Sequence, residues 1–240
     1  MGAIQPVINR GNMIKTQKPS YIGHRQRIKD KYKKSGIDGW LDYEVLELAL
    51  SYAIARKDTK PIAKELITRF KTINGVLDAD RKELKNVLGI SEHAALFFSL
   101  LKDIAILYLE SELHNKNLLS SPEVVYAYLK ASLKGSANEE FKTLFLDGSN
   151  QLITVETLQT GTVNKSVVYP TKIIERALYH HAVGVIIAHN HPAGTLKPSQ
   201  DDCAVTKTIK DALKTVEISL LDHIIIGDND YFSFNEKGLI

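Results

Sequence analysis

A short apolar run, Val183-Gly184-Val185-Ile186-Ile187-Ala188, leads directly into His189-Asn190-His191, and Ser199 and Asp202 follow after a seven-residue gap. The run is rich in β-branched residues and too brief to stand alone as a helix, which predicts a buried strand. Alternate side chains of a strand share a face, so His189 and His191 leave its end together. The loop Pro192-Ala193-Gly194-Thr195-Leu196-Lys197-Pro198 then turns the chain back. Ser199 reads as the N-cap of a helix beginning near Gln200, with Asp202 in its first turn. A strand, a loop and a helix start thus gather two imidazoles, a hydroxyl and a carboxylate, and this connection commits the second half of the chain to an α/β arrangement.

The pattern H-x-H-x7-S-x2-D suits one zinc ion. A catalytic zinc takes three protein ligands from His, Asp or Glu and leaves a fourth position for water, whose pKa falls to roughly 7. His189, His191 and Asp202 are the expected ligands. Asp201 takes the third place if the helix starts one residue differently. A plainer reading exists, because Ser199-Gln200-Asp201-Asp202 is also close to a capping box that serves the helix alone, and an isolated H-x-H arises easily by chance. Four specified residues at fixed spacing within fourteen, with a strand before and a helix after, favour the metal.

A metal-activated water needs a base. In Leu152-Ile153-Thr154-Val155-Glu156-Thr157-Leu158, strand alternation puts Glu156 on the face of Leu152 and Leu158, and an acid among apolar neighbours has its pKa raised into a range that suits proton transfer. An exposed edge-strand glutamate would carry the same pattern. Glu175 is the rival. It falls in Pro170-Thr171-Lys172-Ile173-Ile174-Glu175-Arg176-Ala177-Leu178, a helix opened by proline in which Glu175 and Arg176 flank the apolar stripe, the usual place of a solvated surface charge.

From about Phe141 to Ile226 the sequence resembles the catalytic domain of the RadC family, a branch of the JAB/MPN+ (JAMM) metalloproteins. The residues that carry the resemblance are Glu156-Thr157-Leu158, Gly161-Thr162, Tyr169-Pro170, His189-Asn190-His191-Pro192, Gly194, Pro198-Ser199, Asp202 and Leu221-Asp222-His223. It implies a Zn2+ ion held by His189, His191 and Asp202, hydrolysis of a peptide or isopeptide bond in a peptide or protein substrate, Glu156 as general acid/base, and Ser199 in support of the tetrahedral intermediate. Ala193 stands where that pattern usually has Ser, and Thr171-Lys172 replaces the usual Arg-Glu; neither touches a ligand. Asp222 and His223 match the family's Asp-His, which leaves open a role in orienting a ligand or a structural buried pair. His180-His181 precede the metal strand by too many residues to share its mouth and read as structural.

Tyr21 to Tyr108 resembles the helical N-terminal domain of the same family, through Gly23-His24-Arg25, Asp42-Tyr43-Glu44 and Arg56-Lys57-Asp58-Thr59-Lys60-Pro61. Read directly, Pro61 opens a helix with Ile62, Ala63, Leu66, Ile67 and Phe70 on a face, and Ala94 through Tyr108 mark a longer one. Leu84 to Ser91 between them resembles a helix-hairpin-helix turn, where backbone N–H groups at a helix start can hold a phosphate. Ser91 replaces the second glycine and limits close backbone approach. Nine of the 31 basic residues fall before residue 35 against one of the 28 acids, an arm suited to phosphates or to plain solvation.

These signals set the expected organisation: a flexible basic arm over 1–20, an all-α helical domain over 21–110, a linker over 111–120, and over 121–240 a metal-binding domain with a mixed sheet flanked by helices, of JAB/MPN, cytidine-deaminase-like type. No run reaches transmembrane length and no apolar leader opens the chain, which predicts a cytoplasmic protein without a membrane partner. The single cysteine, Cys203, excludes an internal disulfide and a two-cysteine zinc site, and is expected to pack in the helix after Asp202. The leading function is a zinc metallohydrolase. A DNA-binding protein or metal-dependent nuclease, and a non-enzymatic adaptor, are the alternatives.

Overall fold

The structure is a computed structural model that describes residues 23–55, 57–114, 116–161, 169–228 and 230–240. The basic arm over 1–20, Arg56 and Thr162 lie outside the described residues. Backbone contacts divide the chain into two compact units at Arg69/Phe70.

The first unit is helical, with α1 (His24–Ser35), α2 (Asp42–Ala53) and most of α3 (Lys60–Phe70). Leu46, Leu50, Ala63 and Leu66 form its buried centre. Arg25 closes the C-terminal end of α2, donating to the carbonyls of Ser51 at 3.3 Å, of Ile54, and of Lys57 at 2.8 Å; these carbonyls have no partner within the helix. At the other end the Leu41 N–H donates to the Glu44 carboxylate at 3.1 Å. His24 pairs with the nearly buried Glu47.

The second unit opens with α4 (Ile73–Asp78), α5 (Arg81–Lys85), the long α6 (Glu92–Leu113) and α7 (Pro122–Leu133). There follow β1 (Glu139–Leu146), β2 (Leu152–Gly161), α8 (Pro170–Tyr179), β3 (Gly184–Asn190), α9 (Gln200–Lys214), β4 (Ser219–Ile226) and β5 (Tyr231–Ser233). The sheet order is β2-β1-β3-β4-β5, with β3 and β4 parallel and the other neighbours antiparallel. A parallel pair needs a crossover, and α9 supplies it. Every residue of β3 is buried, as expected of a central strand covered on both faces. Leu144, Ile186, Ala188 and Ile224 pack with Leu129 and Leu133 of α7 on one side. Phe145, Val185 and Ile187 pack with Ile173 of α8 and Ile209 of α9 on the other.

The expected linker at 111–120 is where α6 joins the sheet. Leu113 is fully buried in the α7-side core, and Ile106 and Leu109 pack against it. Lys102 donates to the Lys134 carbonyl at 2.6 Å and pairs with Asp78 at 3.0 Å. The break in contacts therefore lies ahead of α4.

Candidate metal centre

Between β1 and β2 the register slips, with Phe145 opposite Thr154 but Leu146 opposite Leu152. One extra residue in a strand reverses the parity beyond it. Leu152 consequently joins the α7-side core while Leu158 joins the α8/α9-side core, so the two do not share a face as strict alternation predicts. Glu156, opposite Thr143 on β1, lies on the α8/α9 side.

His189, the penultimate residue of β3, lies on that same side, opposite Phe141, and is 1% exposed. The Asn190 amide reaches sideways: its Oδ1 accepts from the Glu140 N–H at 2.8 Å, and its Nδ2 donates to the Asn138 carbonyl at 3.1 Å. These two bonds continue the β1–β3 pairing past the strand and bracket Glu139. The His191 N–H donates to the Ile226 carbonyl at 3.1 Å, and its ring Nδ1–H donates to the Thr195 carbonyl at 2.8 Å. A carbonyl only accepts, so in the neutral ring His191 Nε2 is left with its lone pair. Gly194 makes the turn between them with φ +74°, and a Cβ there would meet the Asp228 carboxylate at 2.2 Å; only glycine fits.

Ser199 caps α9 as expected. The Asp202 N–H donates to Ser199 Oγ at 3.0 Å, while the Ser199 N–H and hydroxyl both donate to Asp202 Oδ2 at 2.7 Å. The capping box is complete, and the same carboxylate still faces the imidazoles. Asp202 Oδ1 is 3.2 Å from His189 Nε2, Oδ2 is 3.4 Å from His191 Nε2, and the two Nε2 atoms are 3.0 Å apart. One carboxylate thus completes the helix cap and remains placed to serve as a ligand. Tetrahedral ligands at zinc bond lengths stand about 3.3 Å from one another, so the donor set fits that ion. Among the described residues this is the one His/Cys/Asp/Glu group whose ligand atoms converge in this way. Asp201 is exposed.

Electrostatics agree with that geometry. Burial disfavours the Asp202 carboxylate, but the facing His189 and His191 rings, when protonated, and the Ser199 hydroxyl outweigh it and hold the carboxyl far below the ordinary range. The hydrogen bond to Asp202 raises the His191 pKa, with burial opposing. His223 on β4 is driven well below an ordinary histidine by burial, reinforced by the neighbouring His189. Its Nε2 is 2.9 Å from His189 Nδ1. Asp222 does not reach the ligands; it accepts from the His223 and Asn235 N–H groups and the Ser233 hydroxyl, tying β4 to β5 and the tail.

Glu156 does not occupy the position expected of a base. Arg176 donates to it from Nε at 2.8 Å and Nη2 at 2.5 Å, and His180 Nε2 stands 2.7 Å away. The Arg176 pair lowers its pKa, with burial opposing, where an apolar setting would have raised it. His180, expected to be merely structural, completes this cluster. Glu175 is exposed. The acid that does approach the imidazoles is Glu139, whose Oε1 is 4.0 Å from His189 Nε2. It lies two residues before Phe141, on the same side of β1, and the pairing of Phe141 with His189 carries it toward the cluster. Cys203, expected to pack, is exposed. Beside His191 a cleft of about 420 Å³ opens, walled by Lys134, Gly135, Pro192, Gly227 and Asp228.

Two comparisons bear on this centre. The RadC-like JAB domain family matches residues 119–239. UPF0758 protein FN0909 of Fusobacterium nucleatum subsp. nucleatum is 39% identical over 225 residues, covering 91% of this chain and 97% of that protein. The chain belongs to the RadC family. Its JAB domain begins just before α7 and holds the whole sheet, the three candidate ligands, Glu139 and most of the cleft wall, to which Gly75 and Asp78 of α4 also contribute. The helical segment ahead of it carries the hairpin between α5 and α6, where Gly89 adopts φ +99°. There the Ser91 hydroxyl accepts from the Ala94 N–H at 3.3 Å, which takes up one of the free donors a phosphate would need. Among the described residues no helix is long and apolar enough to cross a membrane.

Proposed function

We propose that this RadC protein is a metal-dependent hydrolase of a peptide or isopeptide bond. The observation that carries the reading is the convergence of His189, His191 and Asp202 at 3.0–3.4 Å, with the Glu139 carboxylate 4.0 Å from His189 Nε2. When bound, zinc polarises the scissile carbonyl and makes a water molecule acidic enough to attack near neutral pH. The protein residues do the rest. His189, His191 and Asp202 hold the ion. Glu139 accepts the proton of the attacking water and returns it to the leaving amine, a transfer for which a carboxylate at the rim of the cluster is placed. Ser199 keeps Asp202 turned inward, and from that position its hydroxyl can swing to donate to the developing oxyanion. The substrate chain lies in the cleft beside His191.

Substitution at the two glutamates tests the assignment. Zinc-loaded Glu139→Gln should retain the metal and lose on the order of 100-fold in hydrolysis of a fluorogenic peptide and isopeptide panel. Glu156→Gln should stay within a few-fold of the native rate. A fully active Glu139→Gln protein, or cleavage of DNA but of no amide in the panel, would overturn the reading. The DNA alternative rests on the basic arm and on a hairpin already capped by Ser91, and the intact ligand set argues against a non-enzymatic adaptor.

A further inference from the structure

We propose that His223 and Thr206 are positioning residues that fix the tautomer of His189, and through it the lone pair presented to the metal; this rests on the metal-site reading above. Thr206 Oγ1 lies 2.5 Å from the Asp202 backbone carbonyl and 2.6 Å from His223 Nδ1. A carbonyl has no proton to give, so the one hydroxyl proton of Thr206 is spent on Asp202. His223 Nδ1 must then be the donor in its contact with Thr206. A neutral His223 protonated on Nδ1 carries a bare Nε2, and the atom facing that nitrogen at 2.9 Å is His189 Nδ1, which therefore bears the hydrogen. His189 Nε2 is left unprotonated, aimed at His191 Nε2 and Asp202 Oδ1.

The order of donors runs one way, from His189 to His223 to Thr206 to the backbone of Asp202, and links one ligand's ring to another ligand's main chain. Nothing in it is free to rotate. His223 is fully buried, with the Phe234 ring stacked on it at 4.8 Å and 13° and the Phe141 ring at 6.1 Å. Its Cα is opposite Ile187 in the parallel β3–β4 pair. Thr206 is buried one turn after Asp202 on α9. Groups that bond the outer nitrogen of a ligating histidine set its tautomer and orientation, and their loss typically weakens metal binding about 10- to 100-fold.

Two measurements on the full-length protein test the relay. In the metal-free state above neutral pH, long-range proton–nitrogen-15 correlation of labelled histidines should find His189 protonated at Nδ1 and bare at Nε2. In a competition titration with a chromophoric chelator, His223→Leu should bind zinc about 10- to 100-fold more weakly than the native chain. His223→Gln should bind within a few-fold of it, because the amide oxygen can accept from His189 while its NH2 donates to Thr206. Thr206→Val, which removes only the hydroxyl, should release the His223 tautomer and weaken binding to an intermediate degree. His189 protonated at Nε2, or native zinc affinity in a folded His223→Leu or Thr206→Val protein, would overturn the proposal. If His223→Leu fails to fold, the spectrum and the other two variants decide. Native zinc affinity with no amide hydrolysis would remove the hydrolase reading and leave the relay standing. A native chain that takes up no zinc would remove the metal reading, and the tautomer of His189 would still decide the relay.

Discussion

His191 shares its carboxylate partner with His189, and its pKa is raised chiefly by the hydrogen bond to Asp202. The stability gained from that pairing is fully present below the unfolded histidine value of about 6.5 and is lost as pH rises through the higher folded value. Zinc requires the neutral ring, so protons compete with the metal across the same window. The gap in melting temperature between zinc-loaded and chelator-treated protein should therefore widen from pH 6 to pH 8; a gap that stays constant would show that His191 is not a ligand. Glu156→Gln makes the contrasting case. It breaks a partly solvated ion pair with Arg176 and should lower stability only slightly, leaving zinc affinity unchanged by calorimetric titration. The grouping of the candidate ligands was legible in the sequence because strand parity and a helix N-cap act over a few residues. Glu139 was not, because only the pairing of Phe141 with His189 brings it to the cluster, and that register is set by contacts fifty residues apart.

At the scale of elements, α9 performs two tasks with one turn. Ser199→Ala removes the cap and both the hydroxyl and the side-chain acceptor in the Asp202 box. It should lower metal-free stability by about 1 kcal/mol and also weaken zinc binding, measured by denaturant unfolding and chelator competition. Unfolding changed without any effect on zinc would assign Ser199 to the helix alone. Strands and helices followed their hydrophobic periods closely: the apolar run before His189 forms β3, Pro170 opens α8, and Ser199 caps α9. The lost parity on β2 came from the extra residue opposite the Phe145/Leu146 step. A bulge has no signature in an apolar alternation, so Leu152 and Leu158 looked alike while facing different cores.

For the whole molecule, the long α6 decides where the second unit begins. Its stripe of apolar residues reveals that it must be covered but not by which core, and the polar Ser111–Asn117 stretch imitates a linker. Ile106, Leu109 and Leu113 in fact complete the core on the α7 side of the sheet. A fragment over 70–240 should accordingly unfold cooperatively, and one over 119–240 should unfold at lower denaturant concentration because that core loses its cover; equal midpoints would show α6 to be dispensable. The central claim, that His189, His191 and Asp202 hold a single metal ion, is tested most directly by elemental analysis of the purified full-length chain. About one zinc per chain is expected, as for an open three-ligand site, and essentially none in His189→Ala/His191→Ala protein. Undiminished stoichiometry in that double variant would contradict it.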